Sequence, residues 1–119
     1  MDSRVRMAIT LLTNYPARKV LLPVVAKEVG VSIRRLEQLF KAETGMTFVA
    51  FRRRLKLRHA EKLLRRSLKS VGDITSAIGY KAAPYFCREF KKSHGCRPTQ
   101  FRHRFYEPQR FHDPRGKRP

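Results

Sequence analysis

Arg34, Glu37 and Gln38 stand at i, i+3 and i+4, with Ile33 and Arg35 beside them and Lys41 one turn further on. Arginine can offer two parallel N–H donors to the O6 and N7 of guanine, and glutamine can pair with adenine. Arg34 and Gln38 are therefore the first candidates for reading base edges. Glu37 has two uses open to it: accepting from cytosine N4, or orienting Arg34 three residues before it. A second set follows, Ala82, Ala83, Pro84, Cys87 and Arg88. Only Arg88 among them is a strong hydrogen-bonding reader, while Ala83 and Pro84 suit contact with a thymine methyl. The first set is expected to specify more sequence than the second. Ser32, Arg35, Lys41, Arg52, Arg53, Lys91 and Arg102 are the candidate contacts to backbone phosphate, which give position and affinity rather than sequence.

The charge of the chain points to the same partner. Its 119 residues hold 28 Lys+Arg against 9 Asp+Glu, a formal net charge of +19. Such a surplus repels itself unless a polyanion screens it, so nucleic acid is the first candidate partner and an anionic membrane the second. Catalysis is not expected. His59, His94, His103 and His112 are scattered, the carboxylates form no pair in an apolar run, and no Gly-rich phosphate loop is present. Cys87 and Cys96 have no partner at zinc-ligand spacing and read as reduced thiols, so no metal or other cofactor is expected. No run approaches the roughly 20 apolar residues of a membrane span, and the N-terminus lacks an uninterrupted apolar signal core. A cytoplasmic, nucleoid-associated protein is expected.

What must position these side chains is an internal repeat. Val25-Ala26, Val29-Gly30 and Val31 recur 49 residues later as Ile74-Thr75, Ile78-Gly79 and Tyr80. Leu36, Phe40-Lys41, Gly45 and Phe51-Arg52 recur 50 residues on, as Phe86, Phe90-Lys91, Gly95 and Phe101-Arg102, with one residue inserted in the second turn. Each copy reads as helix, tight turn, helix. In the first, Pro23 suits an opening turn, Val25, Ala26 and Val29 share a face, Gly30 reverses the chain, and Ser32 caps a helix buried through Leu36, Leu39 and Phe40. In the second, Ser70 with Asp73 forms an approximate capping box, Ile74, Ala77 and Ile78 make the buried face, and Pro84 opens a helix buried through Phe86 and Phe90.

Between the copies, residues 47–69 contain no Gly or Pro and place Phe48, Phe51, Leu55, Ala60, Leu63 and Leu64 at near-helical spacing. A linker helix of about 30 Å follows, comparable to the roughly 34 Å between successive major-groove faces on one side of B-DNA. It carries nine Lys+Arg in 18 residues, Arg52 to Lys69. A helix with Val5, Ile9 and Leu12 should close the first core, and a short one with Phe101 and Phe105 the second. The expected organisation is all-α: a helix-turn-helix subdomain over 1–46, the linker over 47–69, a second helix-turn-helix subdomain over 70–106, and a basic disordered tail over 107–119.

These residues resemble the DNA-binding domain of the AraC/XylS transcriptional regulators. The resemblance runs from about Pro23 to Arg102. It is most specific in Ile74, Ile78-Gly79-Tyr80, Tyr85-Phe86, Arg88, Phe90-Lys91-Lys92, Gly95, Pro98 and Phe101-Arg102, and extends to Ser32, Arg35-Leu36, Phe40-Lys41 and Gly45. It implies a seven-helix bipartite domain bound to two adjacent major grooves of double-stranded DNA, activating transcription beside RNA polymerase. Carried over by position, base contacts fall on Arg34, Glu37 and Gln38, and on Ala83, Pro84, Cys87 and Arg88. Thr75 replaces the family's usual small alanine, so its hydroxyl must find a partner. No sensor domain or small-molecule effector site is evident, which makes the chain a stand-alone or truncated member. The alternative is a non-specific binder of RNA or DNA. Regular recognition helices argue against it, since RNA readers present exposed aromatics for stacking, whereas the Phe residues here sit mostly at core spacing. A membrane-active cationic helix protein is a third class.

Overall fold

Two short helices joined by a left-handed glycine are built twice in this chain. The computed structural model describes residues 1–14 and 22–108, which hold seven helices: α1 (Ser3–Asn14), α2 (Leu22–Val29), α3 (Ile33–Thr44), α4 (Phe48–Arg66), α5 (Val71–Ala77), α6 (Ala83–His94) and α7 (Pro98–Phe105). After α2 the Gly30 N–H donates to the Lys27 carbonyl at 3.2 Å and the Val31 N–H to that of Ala26 at 3.0 Å. After α5 the same pair recurs, Gly79 to Ser76 at 3.2 Å and Tyr80 to Thr75 at 3.0 Å. Both glycines adopt positive φ, +79° and +86°, the backbone this two-bond closure requires. A Cβ on Gly30 would meet nothing within 4 Å, so the demand there is conformational and not one of space. The inserted residue lies where the repeat places it. Ser32, which caps α3, follows Gly30 by two positions, and Ala82, which precedes α6, follows Gly79 by three.

Side-chain caps start four of the described helices, the first being α1, where Asp2 Oδ1 accepts from the Arg4 N–H (2.8 Å). Ser32 Oγ accepts from the Arg35 N–H (3.1 Å), Thr47 Oγ1 from Ala50 (3.2 Å) and Ser70 Oγ from Asp73 (3.0 Å). The linker helix is shorter than the expected 47–69. Ser67 turns to extended dihedrals while its N–H and hydroxyl both bond the Leu63 carbonyl, at 3.0 and 2.7 Å. A serine satisfied by the last turn has no need to propagate it.

Two cores result. Val5, Ala8, Leu12, Val25, Ala26, Leu36, Phe40 and Phe48 form the first. Leu57, Ala60, Leu64, Ile74, Ile78, Phe86, Phe90 and Phe101 form the second. Helix α4 serves both. Its first half, through Phe48, Phe51 and Leu55, closes the first core in the manner that α7 closes the second. Its latter half, through Leu57, Ala60 and Leu64, repeats the spacing of Val5, Ala8 and Leu12 in α1 and opens the second core. At about 100° per residue the two sets point about half a turn apart, so the lobes pack on opposite faces of one helix. The same ring pair sits in each lobe: Phe40 edge-on to Phe51 at 5.1 Å, Phe90 edge-on to Phe101 at 5.4 Å.

Several core expectations shift by a residue. Leu57, left out of the linker stripe, is buried, while Leu63 is partly so. Ala8 takes the deep position beside Ile9, because a small side chain allows α1 to approach its neighbours closely. Thr75 replaces Ala77 in the second core, and its hydroxyl donates to the Val71 carbonyl at 2.7 Å, which removes the cost of burying it. Phe105 is 44% exposed at the end of α7, resting on the Phe101 ring at 4.8 Å. Asp73 supplies one half of the expected box, the N–H that Ser70 accepts. Glu107, expected to begin the tail, is tied back to α4 by its N–H on the Arg65 carbonyl at 2.7 Å. Residues 109–119, the rest of that tail, lie outside the described residues.

Candidate nucleic-acid interface

With Leu36 and Phe40 turned inward, α3 presents Arg34, Glu37, Gln38 and Lys41 as one exposed row at i, i+3, i+4 and i+7. Ile33 and Arg35 flank the row and are exposed too. The Ser32 hydroxyl accepts the Arg35 N–H, so its own proton remains free to donate outward. In α6 the equivalent row is Pro84, Cys87, Arg88 and Lys91. Pro84, Arg88 and Lys91 are exposed, Ala83 is half-buried, and Cys87 is half-buried against the second core. The Arg88 guanidinium lies 6.0 Å from the ring centre of Tyr85, which is itself exposed. The two rows thus hold most of the residues the sequence singled out, with Ala82 and Ala83 ahead of the second, but α6 gives fewer polar atoms to the surface.

The expected phosphate contacts divide. Arg35, Lys41 and Lys91 are exposed around the two rows. Arg52 is half-buried on α4, lining a groove of about 530 Å³ between the lobes. Leu22, Phe48 and Val49 of the first lobe and Tyr80, Ala82 and Tyr85 of the second form its apolar walls, and Arg52, Arg53, Lys56 and Lys81 its cations. Arg53 is engaged inside the protein, its Nε 3.6 Å from Glu89 Oε2. Arg102 donates from Nε to the Leu64 carbonyl at 3.2 Å and holds α7 on α4. Among the described residues no helix is long and apolar enough to cross a membrane, and no group of three His, Cys, Asp or Glu is placed to hold a metal ion.

A helix-turn-helix domain model matches residues 25–104. The HTH-type transcriptional activator RhaR of Salmonella schwarzengrund (strain CVM19633) is 34% identical over 95 residues, 80% of this chain and 34% of its own. The chain belongs to the AraC/XylS helix-turn-helix family. An AraC-type transcriptional regulator from Chromobacterium violaceum matches this AraC/XylS-type domain with a TM-score of 0.83 at 27% identity, covering 90% of this chain and 96% of its own. The xylose-binding transcription activator XylR also matches at 0.83, with 31% identity over 90% of this chain and 28% of its own. The chain spans about a quarter to a third of the length of the curated relatives it matches. The family consists of DNA-binding regulators, not enzymes.

Sequence reasoning about this AraC/XylS domain missed the polar ties between its helices. Lys56 donates from Nζ to the Gly79 carbonyl at 3.2 Å and stands 5.2 Å from the Tyr80 ring centre. Burial pushes the Lys56 ammonium below its ordinary pKa, with Arg52 adding to the effect. Burial pushes the Tyr80 phenol up to about 12, helped by Glu89 and Tyr85. His94 stacks parallel on Phe90 at 4.1 Å, with Nε2 3.2 Å from Glu61 Oε2 on α4. Lys56 and Gly79 lie 23 residues apart, and Glu61 and His94 33 apart. Helical periodicity assigns each side chain to a face of its own helix, and carries no signal of which neighbour it meets.

Proposed function

We propose that this chain reads double-stranded DNA with two heads, laying α3 and α6 in successive major grooves on one face of the duplex, and that it activates transcription beside RNA polymerase. The observation that carries the proposal is the repeated helix-turn-helix on one shared α4, each copy presenting an exposed row of recognition-helix residues in a strongly cationic setting. Arg34, Glu37 and Gln38 contact base edges from α3; Ala83, Pro84, Cys87 and Arg88 do so from α6. Ser32, Arg35, Lys41, Arg52, Lys91 and Arg102 hold phosphate, and the half-exposed Arg53 does so with its Nη groups while its Nε stays beside Glu89. Activation follows the description of the RhaR relatives as activators. The protein works in the cytoplasm on the nucleoid, and no small-molecule effector is assigned to this domain.

Selection from a random duplex pool at about 0.15 M salt, with excess unspecific DNA, tests the reading, because phosphate-only binding is competed away there. A bipartite motif with half-sites about one helical turn apart is expected. Enrichment of a single half-site means that α6 holds backbone without reading bases. No enrichment overturns the two-headed reader in favour of a non-specific nucleic-acid binder.

A further inference from the structure

The first lobe reaches directly across to the second recognition helix. Arg53 lies on the half of α4 that closes the first core, yet its Nε is 3.6 Å from Glu89 Oε2 in α6. Three residues further along, Lys56 donates to the carbonyl of Gly79, the residue that reverses the chain ahead of α6. Glu89 is the less exposed partner of its pair, 18% against 48% for Arg53. The backbone of α6 packs chiefly on α5 and α7, which in turn pack on α4. A carboxylate on a recognition helix is repelled by phosphate, so Glu89 needs a reason to be where it is, and the guanidinium of the other lobe supplies one.

We infer that the Arg53–Glu89 pair and the Lys56–Gly79 hydrogen bond form an inter-lobe strap that fixes the separation and phase of α3 and α6. Glu89 and Lys56 are then positioning residues for the spacing of the two half-sites, and not for the identity of their bases. One extra base pair between half-sites moves the second by about 3.4 Å and turns it by about 35° about the duplex axis. A loose joint absorbs that change and a strapped one resists it. The inference rests on the proposed two-groove reading.

The test compares the full chain with Glu89→Gln, Lys56→Gln and the double variant on duplexes carrying the selected half-sites at spacings stepped by one base pair. Both half-site motifs should survive. Binding at spacings one pair longer or shorter, relative to the best spacing, should rise about two- to fivefold, the scale set by a half-exposed ion pair. An unchanged spacing profile overturns the strap. So does an equal loss at every spacing, the signature of a plain phosphate contact or of general destabilisation. A second measurement needs no DNA. Spin labels replacing the exposed Ala42 in α3 and Thr99 in α7, with Cys87 and Cys96 changed to alanine, should report a narrow distance distribution that broadens in Glu89→Gln. If the unaltered chain selects no bipartite site, the two-groove reading fails, and this distribution alone judges the strap: no broadening overturns it.

Discussion

The two lobes share their interior and differ at their surface. Each closes its turn with the same pair of backbone hydrogen bonds, and each packs a phenylalanine of the recognition helix edge-on against one from the helix that follows. Yet α3 starts on a serine cap and shows Arg34, Glu37 and Gln38, whereas α6 starts on Ala82 with no side-chain cap and shows Pro84, half-buried Cys87 and Arg88. The contrast separates two kinds of requirement. Turn geometry and ring packing are needed to form a lobe at all, and both copies meet them. The outward row is free to vary without loss of fold, so that is where the two heads acquire different readings.

The largest effect tests whether the interiors are equivalent. Phe40→Ala and Phe90→Ala should each destabilise the domain by about 3–5 kcal/mol in denaturant titration. Because α4 is part of both cores, unfolding should remain one transition in either variant. Two separated transitions would show the lobes to be independent bodies.

Next comes the surface. Arg34→Ala should lose about 1–3 kcal/mol of discrimination at its base, and base changes beneath α3 should matter more than those beneath α6. Equal sensitivity of the two half-sites, read on a mutated site series, would erase the proposed asymmetry.

A smaller effect concerns the helix starts. Ser32→Ala should cost about 1 kcal/mol in thermal or chemical unfolding, since the Arg35 N–H loses its acceptor. Ala82 already has the extended dihedrals of a capping residue, φ −146° and ψ 142°. Ala82→Ser should therefore raise stability by about 0.5–1 kcal/mol and make the lobes more alike.

The smallest effect contrasts two histidines. His94 of the second lobe meets Glu61, whereas His59 of α4 sits in a cleft with Leu12, Thr13 and Leu55 of the first lobe and Lys62 of its own helix. Burial, and then the Lys62 and Lys69 ammonium groups, push the His59 imidazole below the ordinary 6.5. Below that pH the unfolded chain takes up the proton more readily than the folded one. The stability due to neutral His59 is therefore complete above about pH 6.5 and is lost as pH falls below it. His59→Gln should flatten the dependence of the denaturation midpoint between about pH 7 and 5. An unaltered slope would assign the acid sensitivity elsewhere.

How much of this was legible beforehand follows from the range over which each feature is set. The repeat, the turn glycines, the Ser32 and Ser70 caps and the inward rows of α3 and α6 depend on residues within a turn or two of one another, and periodicity reveals them. The near-helical spacing along α4 merges two faces. Leu57 belongs to a second face, visible only once the lobes are known to pack on opposite sides. Phe105 has helical core spacing from Phe101, but α7 ends there and leaves its ring at the surface.

The sequence by itself determined that two helix-turn-helix units exist, that they are joined by a basic helix, and which side chains of α3 face outward. Tertiary structure alone decided which internal partners the cations meet. Arg53 is drawn to Glu89, Arg102 to the Leu64 carbonyl and Lys56 to that of Gly79. The reason is physical: a helix face is dictated by local periodicity, whereas the partner of a long flexible cation depends on how closely the packed cores bring two distant helices together.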